Sequence, residues 1–448
     1  MTHQPIVLFW FRRDLRLEDN RGLARALAFC RAEGSQLVPI FIFDKVILDR
    51  LEDRCDRRVN FIVQTLAAMS KSLGQRGTGI ACLHGEPVRV WTQLLKEGYD
   101  VRAVFTNGDY EPYARERDAR VEKLLRASGI RFESFKDQVI FEKSDVVKED
   151  GRPYSVFTPY FNKWRAAIKP SDLKNEACLK NAELYVSRDA KIFRGRSVPS
   201  LEALGFVPID FDFPQVRVET ERLLKYGANR NRPAIRGTSQ LGLHLRFGTV
   251  SIRKLVAKAF ELKAETWLSE LVWREFFMQI LWHFPQVAER AFRSQYDLVQ
   301  WRQDETGFQR WCAGQTGYPI VDAGMRELNA TGFMHNRVRM IAASFLAKHL
   351  LIDWRWGEAY FAAKLLDFDL AANNGNWQWV VGSGCDAAPY FRVFSPDLQE
   401  KKFDADGGYV QKWIPELGTE SYPAAIVEHS MARIRALAAF KAVQETRV

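Results

Sequence analysis

Residues 6–11 read IVLFWF, a short run of β-branched and aromatic residues that predicts a buried β-strand. Amphipathic stretches typical of helices separate it from similar runs, and one of them, at 114–129, ends at Gly129. This alternation predicts a parallel sheet flanked by helices, that is, a Rossmann-like α/β domain over residues 1–140. The other four predicted strands are LVPIFIF at 37–43, IACLH at 80–84, VRAVFTN at 101–107 and IRFESF at 130–135.

The rest of the chain has a different pattern. Residues 141–215 combine many prolines with charges and show little strand periodicity, so we interpret them as an interdomain connector. From residue 216 to 448 the apolar spacing is helical, as at 265–284 and 332–351, which predicts an all-α second domain. Two cores are also expected for a globular chain of 448 residues that is 47% hydrophobic.

Charge and cysteine usage narrow the functional class. The net charge of +10 attracts polyanions such as nucleic acid, although it carries no information about the fold. The six cysteines are scattered without CxxC spacing, so neither a disulfide framework nor a metal site is expected. No run of about 18 uncharged apolar residues occurs, and the apolar opening is too short for a signal peptide. We therefore expect a soluble, cytoplasmic protein.

One segment could bind phosphate. The α/β domain contains neither GxGxxG nor a P-loop motif. At 236–251, however, RGTSQLGLHLRFGTVS places Thr238 and Ser239 directly before a helical pattern, where amides and hydroxyls can receive a phosphate. A simple Ser/Thr helix cap would explain the same residues.

The predicted helix at 265–284 has an unusual face. Glu270, Trp273, Arg274 and Phe277 follow one another at helical spacing, so an acid, an indole, a guanidinium and a ring share one side. A purely structural face rarely mixes these groups, and the pattern indicates a binding surface.

Other candidate residues are ambiguous by themselves. On the predicted helix at 332–351, Asn336 and Met340 share a face while Arg339 points elsewhere. Taken singly, Met340 would be assigned to the core, and His335 would be an ordinary histidine. Asp367 and Asp369 could be helix caps.

These segments together resemble the DNA photolyase and cryptochrome family, in order and over nearly the whole chain. The resemblance implies a light-antenna-type α/β domain and a helical domain that holds FAD beside a positively charged cavity; the class I cyclobutane pyrimidine dimer photolyases are the most similar branch. The matching segments are FWFRRDLRLEDN, PYSVFTPYFNKW, GTSQLGLHLRFGTVS, ELVWREFF, TGYPIVDAGMRELNATGFMHNRVRMIAASFL, DWRWGEAYF and DFDLAANNGNWQW.

The resemblance implies roles for many residues. Asn373 is similar to the residue that faces flavin N5, and Arg339 to an arginine that pairs with Asp367 across the isoalloxazine. Many members have Ser where this chain has Gly242, so one phosphate contact is expected from the backbone alone. The positions that match flavin-binding residues are Tyr226, Thr238, Ser239, Gln240, Leu241, Gly242, Trp267, Arg274, Arg339, Asp367, Phe368, Asp369 and Asn373.

Tryptophans receive two different roles from the resemblance. Trp377, Trp354 and Trp301 match an electron relay from the flavin to the surface, whereas their wide spacing alone would suggest core packing. Trp379, two residues beyond Trp377, matches the lesion pocket together with Trp273. Two such rings can stack on an extruded dimer, which costs less to flip than normal bases because it has lost aromatic stacking.

The implied lesion and DNA contacts extend beyond these rings. Glu270 and Asn336 are expected to hydrogen-bond the polar edges of the dimer, and Glu270 to stabilise its radical anion. The positions expected to contact lesion or DNA strand are Arg230, Glu270, Trp273, Arg274, Phe277, Asn336, Arg337, Met340, Trp379, Arg392, Gln399 and Lys401.

The activity implied is light-driven repair of cyclobutane pyrimidine dimers in DNA by electron transfer from excited reduced FAD, performed by a monomer. Three alternatives are a (6-4) photoproduct photolyase, a cryptochrome photoreceptor and a flavoprotein that binds nucleic acid without catalysis, and the filled lesion pocket disfavours the last of these. Photolyases for (6-4) photoproducts typically carry a histidine pair in place of Asn336 and Met340, and plant cryptochrome photoreceptors usually replace Asn373 by Asp and Trp379 by Tyr and often add a long C-terminal tail. A second antenna chromophore (folate, deazaflavin or flavin) is left open, because YEPYARERD at 110–118 lacks the Asn-Glu pair of folate-binding members.

Overall fold

The computed structural model describes residues 4–178 and 182–445. Within these residues the five strands predicted from the sequence form one parallel sheet of order β3-β2-β1-β4-β5, which confirms the predicted α/β class. The strand bounds differ from the predicted ones by at most one residue at either end. They are β1 (Ile6–Phe11), β2 (Gln36–Asp44), β3 (Ala81–Gly85), β4 (Val101–Asn107) and β5 (Arg131–Phe135).

Burial explains why these strands read as continuous apolar runs. All six residues of β1 are buried, as are eight of the nine residues of β2. In a parallel sheet helices cover both faces, so the central strands cannot alternate apolar and polar residues. The helices that follow the strands are α1 (Arg21–Glu33), α2 (Lys45–Leu48), α3 (Arg57–Gly74), α4 (Pro87–Lys96) and α5 (Pro112–Ala127).

Helix ends follow local chemistry. Asn20 caps the start of α1 by accepting a hydrogen bond from the backbone N–H of Leu23 at 3.1 Å, and Gly34 ends this helix in the left-handed conformation at φ 62°. Gly129, expected as a helix stop, likewise has φ 74° and follows the end of α5.

The chain divides into two compact units. The first contains the described residues of 1–142, 168–216 and 241–258, and the second those of 143–167, 217–240 and 259–448. The predicted connector at 141–215 is thus shared between the units, and its described residues contain one α-helix. Its role as an interdomain segment stays a prediction, as do the predicted domain boundaries. The remaining α-helices are α6 (Phe157–Ala167), α7 (Thr220–Leu224), α8 (Tyr226–Asn229), α9 (Gly242–Phe247), α10 (Ile252–Glu261), α11 (Glu265–His283), α12 (Glu305–Cys312), α13 (Pro319–Thr331), α14 (Asn336–Ser344), α15 (Trp354–Lys364), α16 (Leu370–Val381), α17 (Pro396–Phe403), α18 (Gly408–Trp413) and α19 (His429–Glu445).

The second unit is organised around one large apolar core. This core includes buried residues of α12, α13, α14, α15, α16 and α19, among them Trp311, Trp354 and Trp377. Helix α14 continues into a π-helical turn at Phe345–His349, and all five residues of this turn are buried.

No helix within residues 4–178 and 182–445 combines the length and the hydropathy needed to cross a bilayer.

Candidate flavin and lesion site

Helix α11 contributes the acid and the rings that the sequence pattern singled out. Most of the helix is buried, including Phe277, whereas Glu270, Trp273 and Arg274 remain partly exposed. Trp273 stacks on Phe157 of α6. Three of the four residues predicted to share a helix face are thus partly exposed. Phe277 is buried and contacts the ring of Trp273.

Glu270 forms an ion pair with Arg230 that the sequence did not predict. The Nη1 group of Arg230 donates to Oε1 of Glu270, and both side chains are about three-quarters buried. Burial raises the pKa of Glu270, and the neighbouring guanidinium of Arg230 opposes this rise. Arg230 was expected to contact a DNA strand outside the pocket, but here it lies on the carboxylate itself.

Helix α14 supplies a second group of candidate contacts. Asn336 is exposed at its start, and Met340 is partly buried and packs against the large core. Arg337 donates to Oδ1 of Asn231 at 2.9 Å, and its guanidinium lies 4.4 Å from the centre of the Phe403 ring. Arg337 is thereby held by two neighbours and keeps a defined position.

His335 has a clearer structural role than the sequence indicated. It is the N-cap of α14, where its Nδ1 accepts a hydrogen bond from the backbone N–H of Arg337 at 3.2 Å. Only 4% of the residue is exposed, and its Nε2 has no partner within the described residues. Burial, together with the charges of Arg339 and Arg337, lowers the pKa of His335 to about 4.

Arg339 and Asp367 form a direct ion pair. The Nη2 group of Arg339 lies 3.0 Å from Oδ2 of Asp367, and its Nε donates to the backbone oxygen of Met334 at 2.7 Å. The other carboxylate oxygen, Oδ1, is buried and has no partner among the described residues. Asp367 thus offers an acceptor to a bound molecule. Asp369 has a different role, since it is the N-cap of α16 and accepts a hydrogen bond from the backbone N–H of Ala372 at 3.2 Å.

Asn373 is oriented by an acid that sequence reasoning missed. Its Nδ2 donates to Oε1 of Glu358 at 2.8 Å and to the backbone oxygen of Glu358 at 3.2 Å. Burial raises the pKa of Glu358, and the hydrogen bond from Asn373 opposes this rise. Glu358 lies within the segment DWRWGEAYF that carried the family resemblance, which was the signal available in the sequence.

The two tryptophans of α16, which the resemblance assigns to different roles, differ in burial. Trp377 is buried, and Trp379 is partly exposed. Trp377 contacts the rings of Phe361 and Trp311, with ring centres 5.0 and 6.2 Å apart. Trp354 belongs to the same core and Trp301 packs against it, while Trp311 was not a candidate from the sequence. The relay through Trp354 and Trp301 stays a prediction.

The remaining flavin-binding candidates lie on α8, α9 and α11 and in the segments before α9 and α16. Leu241 is the N-cap residue of α9 and that helix receives no side-chain cap, so Thr238 and Ser239 are not N-caps of this helix. Gln240 has a left-handed backbone with φ 53°. Tyr226 and Trp267 are buried, and Gly242, Arg274 and Phe368 are partly exposed.

Candidate DNA-strand contacts lie beyond α16. Arg392 and Lys401 are exposed, and Gln399 is partly exposed. Such side chains can reach phosphate oxygens without a large desolvation cost.

The carboxyl edge of the sheet in the first unit is filled by ion pairs. Arg117 lies over Trp10 and is 2.9 Å from Oδ1 of Asp118, and Tyr113 donates to Asp44 at 2.7 Å. Arg12 also lies over Trp10 and pairs with Asp118. Doubly wound folds bind ligands at this edge, so an antenna chromophore placed there would have to displace these pairs. The presence and identity of a second chromophore stay open.

The fold and these side chains define a flavin-binding protein of the photolyase type. The family model for the DNA photolyase domain matches residues 7–178, and the model for the FAD-binding domain of DNA photolyase matches residues 267–420. The chain is 38% identical to the deoxyribodipyrimidine photo-lyase of a Synechococcus species, over 95% of this chain and 94% of that protein. It belongs to the DNA photolyase family.

Solved structures give the same result. A class III photolyase from Agrobacterium tumefaciens is 35% identical with a TM-score of 0.86, covering 100% of this chain and 99% of that one. A cryptochrome from Synechocystis is 26% identical with a TM-score of 0.85, covering 98% of this chain and 100% of that one. A photolyase and a cryptochrome therefore share this architecture. The fold does not distinguish the two classes of protein, so the distinction has to come from the side chains of the site.

The residues present fit FAD. The unpartnered buried Oδ1 of Asp367 can accept from a flavin N–H or a ribose hydroxyl, and Arg339 supplies a positive charge beside it. The Asn373 amide, held by Glu358, adds a polar group with one fixed orientation. An acceptor, a cation and an amide on neighbouring elements suit the polar edge of an isoalloxazine.

Proposed function

We propose that this protein is a light-dependent deoxyribodipyrimidine photo-lyase that repairs cyclobutane pyrimidine dimers in DNA. The observation that carries this proposal is the combination, in one unit, of the Arg339–Asp367 pair with a partly exposed acid and two partly exposed indoles, Glu270, Trp273 and Trp379. The first group suits FAD, and the second suits a flipped, poorly stacking dinucleotide. Family membership and the curated relative support the same activity.

The chain's own residues bind and orient the damaged dinucleotide. Trp273 and Trp379 offer ring faces to a dimer that has lost its own stacking, each contact contributing roughly 1–3 kcal/mol. Phe157 supports Trp273 from behind, so that this ring is preorganised before DNA arrives. Removing the dimer from the duplex costs less than removing a normal base. When both can stack on these rings, the extruded dimer is therefore favoured.

Glu270 is placed to interact with the dimer during bond cleavage. When protonated its carboxyl group can donate a hydrogen bond to a dimer carbonyl, and when ionised it stays paired with Arg230. Burial raises the pKa of Glu270 and so favours its protonated form, whereas the guanidinium of Arg230 favours the ionised form. Asn336, exposed on α14, adds an amide that can both donate and accept.

The cofactor supplies the redox chemistry. When bound and reduced, FAD would supply a photoexcited electron for cleavage of the C5–C5 and C6–C6 bonds of the dimer. The electron would return to the flavin afterwards. Around it the chain supplies Arg339, Asp367 and Asn373 as polar partners. Buried Trp377, in contact with Trp311 and Phe361, provides an oxidisable ring inside the core.

The arrangement favours dimer repair over the (6-4) photolyase and cryptochrome alternatives at specific positions. Asn336 and Met340 stand where (6-4) photolyases typically have histidines, and Asn373 and Trp379 stand where plant cryptochromes usually have Asp and Tyr. The similarity to a class III enzyme leaves the assignment to class I as a prediction.

The proposal is tested by mixing the reduced protein with an oligonucleotide that contains a single thymine dimer and illuminating it with blue light. Recovery of thymine absorbance in the light, and none in the dark, is expected. An oligonucleotide with a (6-4) photoproduct serves as the substrate control. Protein that binds FAD but leaves both lesions intact would point instead to a photoreceptor.

A further inference from the structure

Lys348 is a fully buried lysine in the core of the second unit. It lies in the π-helical turn at Phe345–His349 and has 0% exposure. Lysines are almost never fully buried, because removing an ammonium group from water is costly unless its donors are satisfied. The side-chain nitrogen of Lys348 therefore needs polar partners inside the core.

The side-chain nitrogen of Lys348 is bound by two backbone carbonyls. It donates to the oxygen of Arg392 at 2.8 Å and to that of Tyr390 at 3.2 Å. It also lies 5.8 Å from the centre of the Phe440 ring of α19. Within residues 4–178 and 182–445 no carboxylate forms an ion pair with it, so the two carbonyls are its polar partners.

The helix around Lys348 is locally widened. The N–H of Leu350 donates to the oxygen of Phe345 at 3.0 Å, an i to i+5 hydrogen bond, and Arg435 donates to the oxygen of His349. Such π-turns carry one extra residue per turn, which changes the direction of the side chains and often accompanies functional sites. Here the turn is fixed on one side by α19 and faces the 390–392 backbone through Lys348.

The tethered backbone belongs to the loop at 386–395, which is the larger part of the segment between α16 and α17. The loop starts beside Trp379, whose backbone oxygen accepts from the N–H of Ala388 at 3.2 Å. Its inner carbonyls bind Lys348, whereas Phe391 is 61% exposed and Arg392 is also exposed. The side chain of Lys348 thus binds the segment that follows Trp379, the indole proposed to face the lesion. The same segment carries the exposed Arg392.

We propose that Lys348 is a positioning residue for DNA binding, and that its hydrogen bonds to Tyr390 and Arg392 hold the 386–395 loop in the conformation that presents Arg392 to the DNA backbone. This inference rests on the proposed function, since it takes Arg392 to contact a phosphate. Lys348 itself touches neither DNA nor FAD.

The position of Lys348 also couples DNA binding to a proton. Burial, with the charge of Arg392 as a second cause, lowers the pKa of Lys348 to about 7. The charge of Lys348 also acts on His349 in the same turn, and His349 is in turn hydrogen-bonded to His429 and Arg435 of α19. A phosphate placed at Arg392 favours the ammonium form, so DNA binding takes up a proton and the affinity falls as pH rises above about 7.

The experiment compares the FAD-loaded wild type with Lys348→Met. Hydrogen exchange of the 386–395 amides is followed without DNA, and the affinity for dimer-containing duplex is measured from pH 6 to pH 8.5. We expect faster exchange confined to this loop, affinity weakened about tenfold, and a flatter pH dependence than in the wild type. Lys364→Met, at an exposed lysine of α15, should change none of the three.

The outcomes separate this inference from the proposed function. Unchanged loop exchange in Lys348→Met, or faster exchange with unchanged affinity, overturns the positioning role even if the wild type repairs dimers. If wild-type protein does not bind dimer-containing DNA, the proposed function fails regardless of the loop. Should Lys348→Met not fold, Lys348→Gln keeps a donor without a charge, and a pH dependence of affinity identical to that of the wild type would contradict the proposal.

Discussion

Phe157 of α6 and Trp273 of α11 stack face to face, with ring centres 3.8 Å apart and an angle of 9° between the ring planes. One face of the indole is therefore already covered. Phe276 and Phe277 also touch Trp273, at 5.5 and 5.4 Å between ring centres. Trp273 is fixed by its neighbours, and a ligand that stacks on it does not have to order it first.

The first prediction concerns this support. Phe157→Ala removes the stacked partner of Trp273, and an aromatic pair of this kind contributes about 0.5–1.5 kcal/mol. We expect affinity for dimer-containing duplex to fall about 3- to 10-fold, with FAD content unchanged, as measured by fluorescence anisotropy. Phe211→Ala, which removes a ring of the first unit that packs on Phe213, is the matched control. Equal affinity in wild type and Phe157→Ala would show that Trp273 does not need the support.

Trp379 provides a sharper test of the lesion pocket. Trp379→Ala removes a stacking contact worth roughly 1–3 kcal/mol, so affinity for dimer-containing DNA should fall by about 5- to 150-fold. Binding of undamaged duplex should change little, because phosphate contacts remain. The comparison needs both DNAs and the flavin absorbance of each variant. Trp282→Ala, at another partly exposed tryptophan of the same unit, is the control, and an equal loss on damaged and undamaged DNA would argue against a lesion contact.

Much of the fold could be predicted from the sequence, because its signals are local. The strands of the buried parallel sheet are continuous apolar runs such as residues 6–11, and each was placed to within one residue at either end. Helical periodicity likewise predicted that the chain is helical from residue 216 onward, whereas the second unit also includes residues 143–167 and lacks 241–258. The helix α6 was missed, since its sequence FTPYFNKWRAA has a proline in its first turn and lies in a proline-rich segment.

The site was harder to predict, because its key relationships join residues far apart in the sequence. The partners of Glu270 and Asn373 are Arg230 and Glu358, at separations of 40 and 15 residues, and neither pairing has a periodic signature. Trp311 was likewise not distinguishable from core packing. The resemblance identified the residue types at the site and the pairing of Arg339 with Asp367, whereas the contacts of Glu270 and Asn373 required three-dimensional packing.

Trp377 allows the redox role of the core tryptophans to be tested separately from repair. Trp377→Phe keeps a ring in the core but removes an easily oxidised indole. Photoreduction of oxidised FAD should be largely lost, as followed by the decay of flavin absorbance under blue light with an external reductant. Repair by chemically pre-reduced protein should be preserved. Trp91→Phe, at a buried tryptophan of the first unit, controls for core perturbation, and normal photoreduction in Trp377→Phe would remove Trp377 from the relay.

The exposed side chain of Arg392 is expected to contribute to the salt dependence of DNA affinity. If it neutralises one phosphate, the slope of log affinity against log salt should decrease by about 1 in Arg392→Ala, because one fewer counterion is released. Affinity for damaged and undamaged duplex should fall by a similar factor. The slope is obtained from titrations between low and physiological salt. Arg152→Ala, at an exposed arginine paired with Asp150, should leave the slope unchanged. A slope that stays constant in Arg392→Ala would exclude the phosphate contact.

His335 makes the second unit sensitive to acid. Its pKa is lowered to about 4 in the folded protein, below the ordinary value of 6.5, because the ring is buried beside Arg339 and Arg337. The unfolded chain therefore takes up the proton first as pH falls, so stability is lost from about pH 6.5 downward until pH 4. This one group should cost about 2 kcal/mol between pH 7 and pH 5. His335→Asn keeps an acceptor at the N-cap position and removes the titration. Its free energy of unfolding should drop less over that interval than that of the wild type, as measured by denaturant titration at both pH values. His84→Asn, at an exposed histidine, should behave as the wild type, whereas an equally steep loss in His335→Asn would mean that other groups control the acid sensitivity.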